Sequence, residues 1–137
     1  MKRKKSMLVS SLIAAGFSLL LCIGVLTFLG PCVHEDGTTG VCGEAGRLSA
    51  ILGGCAAAFA LLSAVLRHKG KLAVCLLILT AGCGAAAFFT PGGIQPLCMM
   101  DTMRCRAIMT PAVKILSGLI LVSTLPGIIS GLREGTK

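Results

Sequence analysis

Apolar residues do not alternate with polar ones along this chain; they run together in four long blocks, and polar residues collect between them. The blocks extend over residues 7–30, 48–66, 72–90 and 111–132. Each is close to the ~20 residues a helix needs to cross a hydrocarbon layer. None carries a charge in its middle; Lys114 lies near one end of the fourth block, where its stem can snorkel to the headgroups. The pattern predicts an all-α membrane protein of four transmembrane helices, one integral domain over residues 1–137, with loops at 31–47 and 91–110. A basic start before an apolar run also suits a cleaved signal, but the run is longer than the usual ~7–15 residues and no Ala-x-Ala site follows, so it is read as a retained span.

Local punctuation agrees with these bounds. Pro31 ends the first span because it has no N–H to donate. Gly37, Gly40, Gly43 and Gly46 are expected to keep the first loop irregular. Arg67-His68-Lys69-Gly70-Lys71 makes a tight turn between spans two and three, and Pro91-Gly92-Gly93 stops the third. Pro111 suits the first turn of the fourth helix, and Pro126-Gly127 predicts a kink near its end. Small residues mark helix-packing faces, Gly53 and Gly54 in span two and Gly82 and Gly84 in span three, because they let backbones approach closely in lipid. The same faces also suit docking to another membrane subunit or to a second copy of the chain.

The two halves have one layout: helix, cysteine-bracketed polar loop, helix. Pro31-Cys32 with Cys42 corresponds to Pro91 with Cys98 and Cys105, and Arg47-Leu48-Ser49 loosely matches Lys114-Ile115-Leu116-Ser117. The chain is therefore read as two tandem helical hairpins in a pseudo-two-fold repeat whose axis lies along the membrane normal.

Composition adds a direction. Of 137 residues, 55% are hydrophobic and only 13% charged, yet the net charge is +8. The two loops, with Lys114, balance four basic against four acidic side chains. The entire surplus therefore sits at the ends and the middle turn: Lys2, Arg3, Lys4, Lys5, Arg67, Lys69, Lys71, Arg133 and Lys137 against Glu134. Basic residues favour the cytoplasmic side, so both termini and the middle turn are predicted inside and both cysteine loops outside. Without Trp or Tyr and without a polar fold, the basic charge does not read as a nucleic-acid surface; the lipid bilayer is the partner it implies. The lack of ionisable groups at membrane depth argues against a pump or ion channel.

Chemistry concentrates in the loops. Cys32, Cys42, Cys98 and Cys105 face the predicted oxidising side, where disulfides persist, and four cysteines allow three pairings. The pairings either close each loop with one bridge or tie loop to loop; both are structural readings. Two functional readings compete with them. A thiol–disulfide enzyme would use Cys98 and Cys105, with Arg104 lowering the pKa of its neighbour, although no Cys-x-x-Cys occurs. A copper or haem site would draw on His34, Cys98, Met99, Met100, Met103 and Cys105, since soft sulfur ligands select Cu(I). Four of the six methionines fall between residues 99 and 109, though methionine is also ordinary apolar filler.

Phe28-Leu29-Gly30-Pro31-Cys32, Ile94 leading to Cys98, Met103-Arg104-Cys105-Arg106 and Pro111-Ala112 together resemble an uncharacterised bacterial family of small four-span membrane proteins with paired external cysteines, a domain of unknown function. The likeness covers nearly the whole chain. It departs in the first loop, where Val41-Cys42-Gly43 stands in place of a Met-x-Cys-His-like motif. The resemblance implies a bacterial cytoplasmic membrane and, beside export-type ABC transporters, a partner-subunit role. The leading expectation is thus a non-enzymatic accessory or interaction subunit without a cofactor, its external cap stabilised by disulfides.

Overall fold

A computed structural model gives the fold and describes residues 2–27, 41–94 and 105–136. Four helices appear and, among the described residues, no strand: α1 (Lys2–Thr27), α2 (Val41–Val65), α3 (Gly70–Phe89) and α4 (Thr110–Gly135). A 3-10 turn, Leu66–His68, extends α2, and a π-helical turn, Cys105–Met109, leads into α4. Each helix, α2 and α4 together with their adjoining turns, supplies a stretch long and apolar enough to cross a membrane: Lys4–Thr27, Gly43–His68, Gly70–Phe89 and Ala107–Gly135. The protein is a helical membrane protein.

The helices form a ring, each packed against its two sequence neighbours, with α4 closing back onto α1. Close approaches fix their directions. Gly53 of α2 lies against Ser18, Leu21 and Cys22 of α1; Gly84 of α3 lies against Ile120 of α4; Gly127 and Gly131 of α4 lie against Ser10 and Met7 of α1. Contact positions rise on one helix as they fall on the next, so the bundle runs up, down, up, down. Exchanging hairpin α1–α2 for hairpin α3–α4 leaves this ring unchanged.

Hydrophobicity scarcely differs between the faces of any helix. Size differs instead. Ala14, Ala15, Ala45, Ala50, Ala56, Ala57, Ala60, Ala73 and Ala87 are buried, whereas Leu20, Ile23, Leu26, Ile51, Val65, Ile115 and Val122 are exposed. In lipid no hydrophobic force pulls large side chains inward, and close backbone packing through small residues holds helices together. Larger apolar side chains fill only part of the interior: Leu21, Val25, Met109, Val113 and Ile120 cluster with Ala50 nearer the loops, and Met7, Val74 and Leu77 with Ala73 at the opposite end.

Most buried hydroxyls are handled locally. Ser18 donates to Ala14 O (2.7 Å), Ser63 to Ala60 O (2.7 Å), Thr80 to Leu76 O (2.9 Å) and Thr124 to Leu121 O (2.8 Å). Ser10 instead crosses the interface and donates to Ser123 O on α4. A helix in lipid must satisfy polar groups internally, and back-bonding to the preceding turn does so.

Element bounds differ from the sequence reading in four places. α1 begins at Lys2, so the basic start is the first turn of the helix rather than a tail. α2 begins at Val41, so residues 41–47, assigned to the first loop, are helical. Gly43, Ala45 and Gly46 are buried there; close packing offsets a glycine helix cost of about 1 kcal/mol, and Glu44 suits the positive end of the helix. The second loop ends at Cys105 rather than Thr110, because the π turn carries the helical backbone back five residues. α4 runs through Pro126 to Gly135, with Pro111 in its first turn as expected.

Candidate functional site

Of the cysteines expected to carry chemistry, the structure describes the backbones of two, Cys42 and Cys105, at the bundle end where α2 and α4 begin and α3 finishes, hereafter the loop end. Cys42 is the second residue of α2 and Cys105 the first of the π turn, so the two helix starts bring these backbone positions to the same end. Cys32, His34, Cys98, Met99, Met100 and Met103 lie outside the described residues, and with them the disulfide pairing and the soft-ligand set. Among the described residues no group of three or more His, Cys, Asp or Glu is placed to hold a metal. Cys22, Cys55, Cys75 and Cys83 are free thiols within the helices. Met109, the last of the methionine cluster, is buried in the apolar core with Val25 and Val113; here methionine is packing material.

A groove of about 450 Å³ opens at the loop end between α3 and α4, lined by Phe88, Phe89, Pro91, Gly92, Gly93, Thr110 and Lys114. It exists because α3 stops sharply. The Thr90 hydroxyl donates to Ala86 O (2.7 Å), Gly92 takes a left-handed φ of 87°, and the Ile94 N–H folds back onto Phe89 O at 3.2 Å. Left-handed backbone of this kind belongs to glycine after a helix end. Gly93 is required for a different reason: a Cβ there would lie 2.5 Å from Phe89 O.

The turn leaves two aromatic rings at the groove. Phe88 and Phe89 meet edge to face, centroids 5.5 Å apart at 82°. Lys114, one turn into α4, holds its Nζ 5.9 Å from the Phe88 centroid. That is within cation–π range. Sequence reasoning gave Lys114 only a snorkelling role and did not pair it with Phe88. Two adjacent aromatics before Pro-Gly-Gly, opposite the one lysine inside an apolar block, were the available signal.

Of the four glycines expected at packing faces, Gly53 sits deepest, where a Cβ would lie 2.6 Å from Leu21 Cδ2 and 3.3 Å from two α1 backbone atoms. Gly54 meets only the Cys22 sulfur at 3.9 Å, and Gly84 meets Ile120 Cγ2 at 3.2 Å. Gly82 is exposed with nothing within 4 Å. Two residues carry it about 200° round the helix from Gly84, so the two cannot share a packing face. Gly127 and Gly131, absent from that expectation, are buried contacts: a Cβ on Gly127 would lie 2.9 Å from both Leu77 Cδ1 and Ser10 Oγ, and one on Gly131 would collide with Val74 Cγ2. Gly127, in the Pro126-Gly127 pair expected to kink α4, is also a docking point for α1 and α3.

The opposite end is basic. Lys2, Lys4, Lys5, Arg67, His68, Lys69, Lys71 and Arg133 are exposed there, with Glu134 the one acid among the described residues of that end. The bundle thus has a polar division: a cluster of cations at one end, an aromatic groove with Lys114 at the other, and between them an interior of apolar side chains and mostly back-bonded hydroxyls. Neither the curated proteins nor the solved structures contain a match to the chain. A family does match, over residues 12–129, and on that extent the chain belongs to the family described as Domain of unknown function (DUF4418).

Proposed function

We propose that this protein is a non-enzymatic accessory subunit of a membrane complex in a bacterial cytoplasmic membrane, its basic end inside and its loop end presenting a disulfide-closed cap to a partner. An ABC-type exporter is one such complex. The observation that carries the reading is the separation of chemistry from the bundle. The described interior combines small residues and hydroxyls, most of them bonded within their own helix, with two clusters of larger apolar side chains, and among the described residues it holds no charged side chain. A groove with two phenylalanines and a lysine lies beside the loops. An interior so filled serves as a scaffold, and an aromatic and cationic groove at a helix end serves recognition. In this proposal Cys32, Cys42, Cys98 and Cys105 form two structural bridges, and the basic end obeys the charge rule for cytoplasmic segments.

One observation favours a second reading. Cys105 opens a π-helical turn leading into α4. Such turns are frequent at functional sites, and helix starts lower thiol pKa values. In that reading Cys98 and Cys105 exchange with a thiol partner or bind copper or haem.

Photo-crosslinking in intact membranes tests the leading reading, with the probe placed at Phe89 or Ile94 of the loop end and at Ile78 of α3 as a lipid-facing reference. All three side chains are well exposed. The expected result is one discrete protein adduct from Phe89 and Ile94 that is absent from Ile78. Lipid adducts alone from all three positions overturn it.

A further inference from the structure

Near the basic end, α3 has an open groove of about 720 Å³ lined by Lys69, Gly70, Lys71, Leu72, Cys75 and Leu76. Its two chemistries are sorted by depth. Lys69 and Lys71 stand exposed at the helix start, and Leu72, Cys75 and Leu76 continue along the helix toward the middle of the span. Neither lysine has an ion-pair partner among the described residues, and the nearby basic groups Arg67 and His68 add charge of the same sign. The turn itself shapes the mouth. Lys69 leaves helical geometry (φ −99°, ψ 76°), and Gly70 leaves open space where a side chain would stand.

We propose that this groove holds one anionic diacyl phospholipid from the leaflet at the basic end. Its phosphate lies against Lys69 and Lys71, and one acyl chain lies along Leu72, Cys75 and Leu76. The charge and the depth profile select this occupant. Unpaired lysines at headgroup level attract anionic lipid. An apolar wall running inward from them matches a chain attached to that headgroup, whereas a soluble phosphate would leave the wall uncovered. The inference rests on the helices spanning a bilayer, not on which side the basic end faces.

The test uses the full chain purified in detergent and exposed to equal amounts of phosphatidylglycerol and phosphatidylcholine, with retained lipid counted by native mass spectrometry. Wild type is expected to retain phosphatidylglycerol preferentially. K69Q/K71Q should lower that retention roughly thirtyfold, from the attraction each lysine has for an anionic surface. C75W, which fills the groove at an exposed position and keeps both lysines, should lower it as well. K4Q/K5Q removes the same charge from the same end of the bundle and should leave retention unchanged. Equal losses in K69Q/K71Q and K4Q/K5Q would make the attraction a diffuse surface charge and overturn the site. Absence of any phosphatidylglycerol preference, or an unaffected C75W, overturns it too. So does displacement by glycerophosphoglycerol, which has the headgroup without the chains. None of these outcomes bears on the loop-end partner, so this inference fails separately from the accessory-subunit reading.

Discussion

Replacing Gly127 by alanine tests the packing of the bundle at a point where three helices meet. The new Cβ meets Leu77 Cδ1 and Ser10 Oγ, both at 2.9 Å. Leu77 is fully buried, and Ser10 is held by its bond to Ser123 O across α1 and α4. Forcing one methyl into such a site costs about 1–3 kcal/mol. Displacing Ser10 from its interhelical bond adds about 0.6 kcal/mol. The intrinsic preference of a helix for alanine over glycine returns about 1 kcal/mol. The net is a loss of about 0.6–2.6 kcal/mol, with overpacking the deciding contribution. Gly82→Ala is the matched reference, since its Cβ points into open space and only the helix preference remains; it should be neutral or gain up to about 1 kcal/mol. Equilibrium unfolding in mixed detergent micelles, followed by helical circular dichroism, reads both variants against wild type. Equal effects of the two substitutions, or a Gly127→Ala protein more stable than Gly82→Ala, refute the three-helix contact.

Two further predictions concern polar and turn positions. Ser49 and Ser117 are wholly buried with no hydrogen-bond partner for their hydroxyls among the described residues, so Ser49→Ala and Ser117→Ala should be neutral or stabilising by about 1 kcal/mol; a clear loss in the same unfolding experiment would reveal a partner such as an ordered water. Gly93→Ala puts a Cβ 2.5 Å from the Phe89 carbonyl and opens the Ile94 to Phe89 bond, a backbone clash expected to cost about 1–3 kcal/mol. Thermal melting in detergent checks it, and an unchanged midpoint contradicts the turn geometry.

Helix number, length and hairpin order were legible because spans are written in hydropathy, and hydropathy needs only a window of sequence. The interior was not legible in the same way. In a soluble helix the apolar stripe marks the core, but here Leu20 and Leu21 are equally apolar while one faces outward and the other is fully buried. Size is the remaining signal, and it is local. Gly53 and Gly84, which it marks, lie close to the neighbouring helix, yet Gly82 satisfies the same pattern and faces outward. Gly127 carried a competing meaning, since a glycine after proline reads first as a bend. The seven residues before Leu48 looked like loop because glycine propensity favours it, and burial of Gly43 and Gly46 overrode propensity. The aromatic–lysine groove escaped because Phe88 and Lys114 are brought together only by the antiparallel packing of α3 and α4. The cysteine and methionine chemistry falls mostly outside the described residues, so it stands as the sequence left it.

The central claim, that the cap is structural and not a reaction centre, is tested most directly by non-reducing peptide mapping of the purified protein, with thiol alkylation before and after mild reductant. The account predicts that Cys32, Cys42, Cys98 and Cys105 are all bridged and resist reduction, as structural disulfides do, while Cys22, Cys55, Cys75 and Cys83 are recovered as free thiols. Free alkylation of Cys98 or Cys105 before reduction, or copper or haem carried through purification, would contradict it and transfer the function to the thiols themselves.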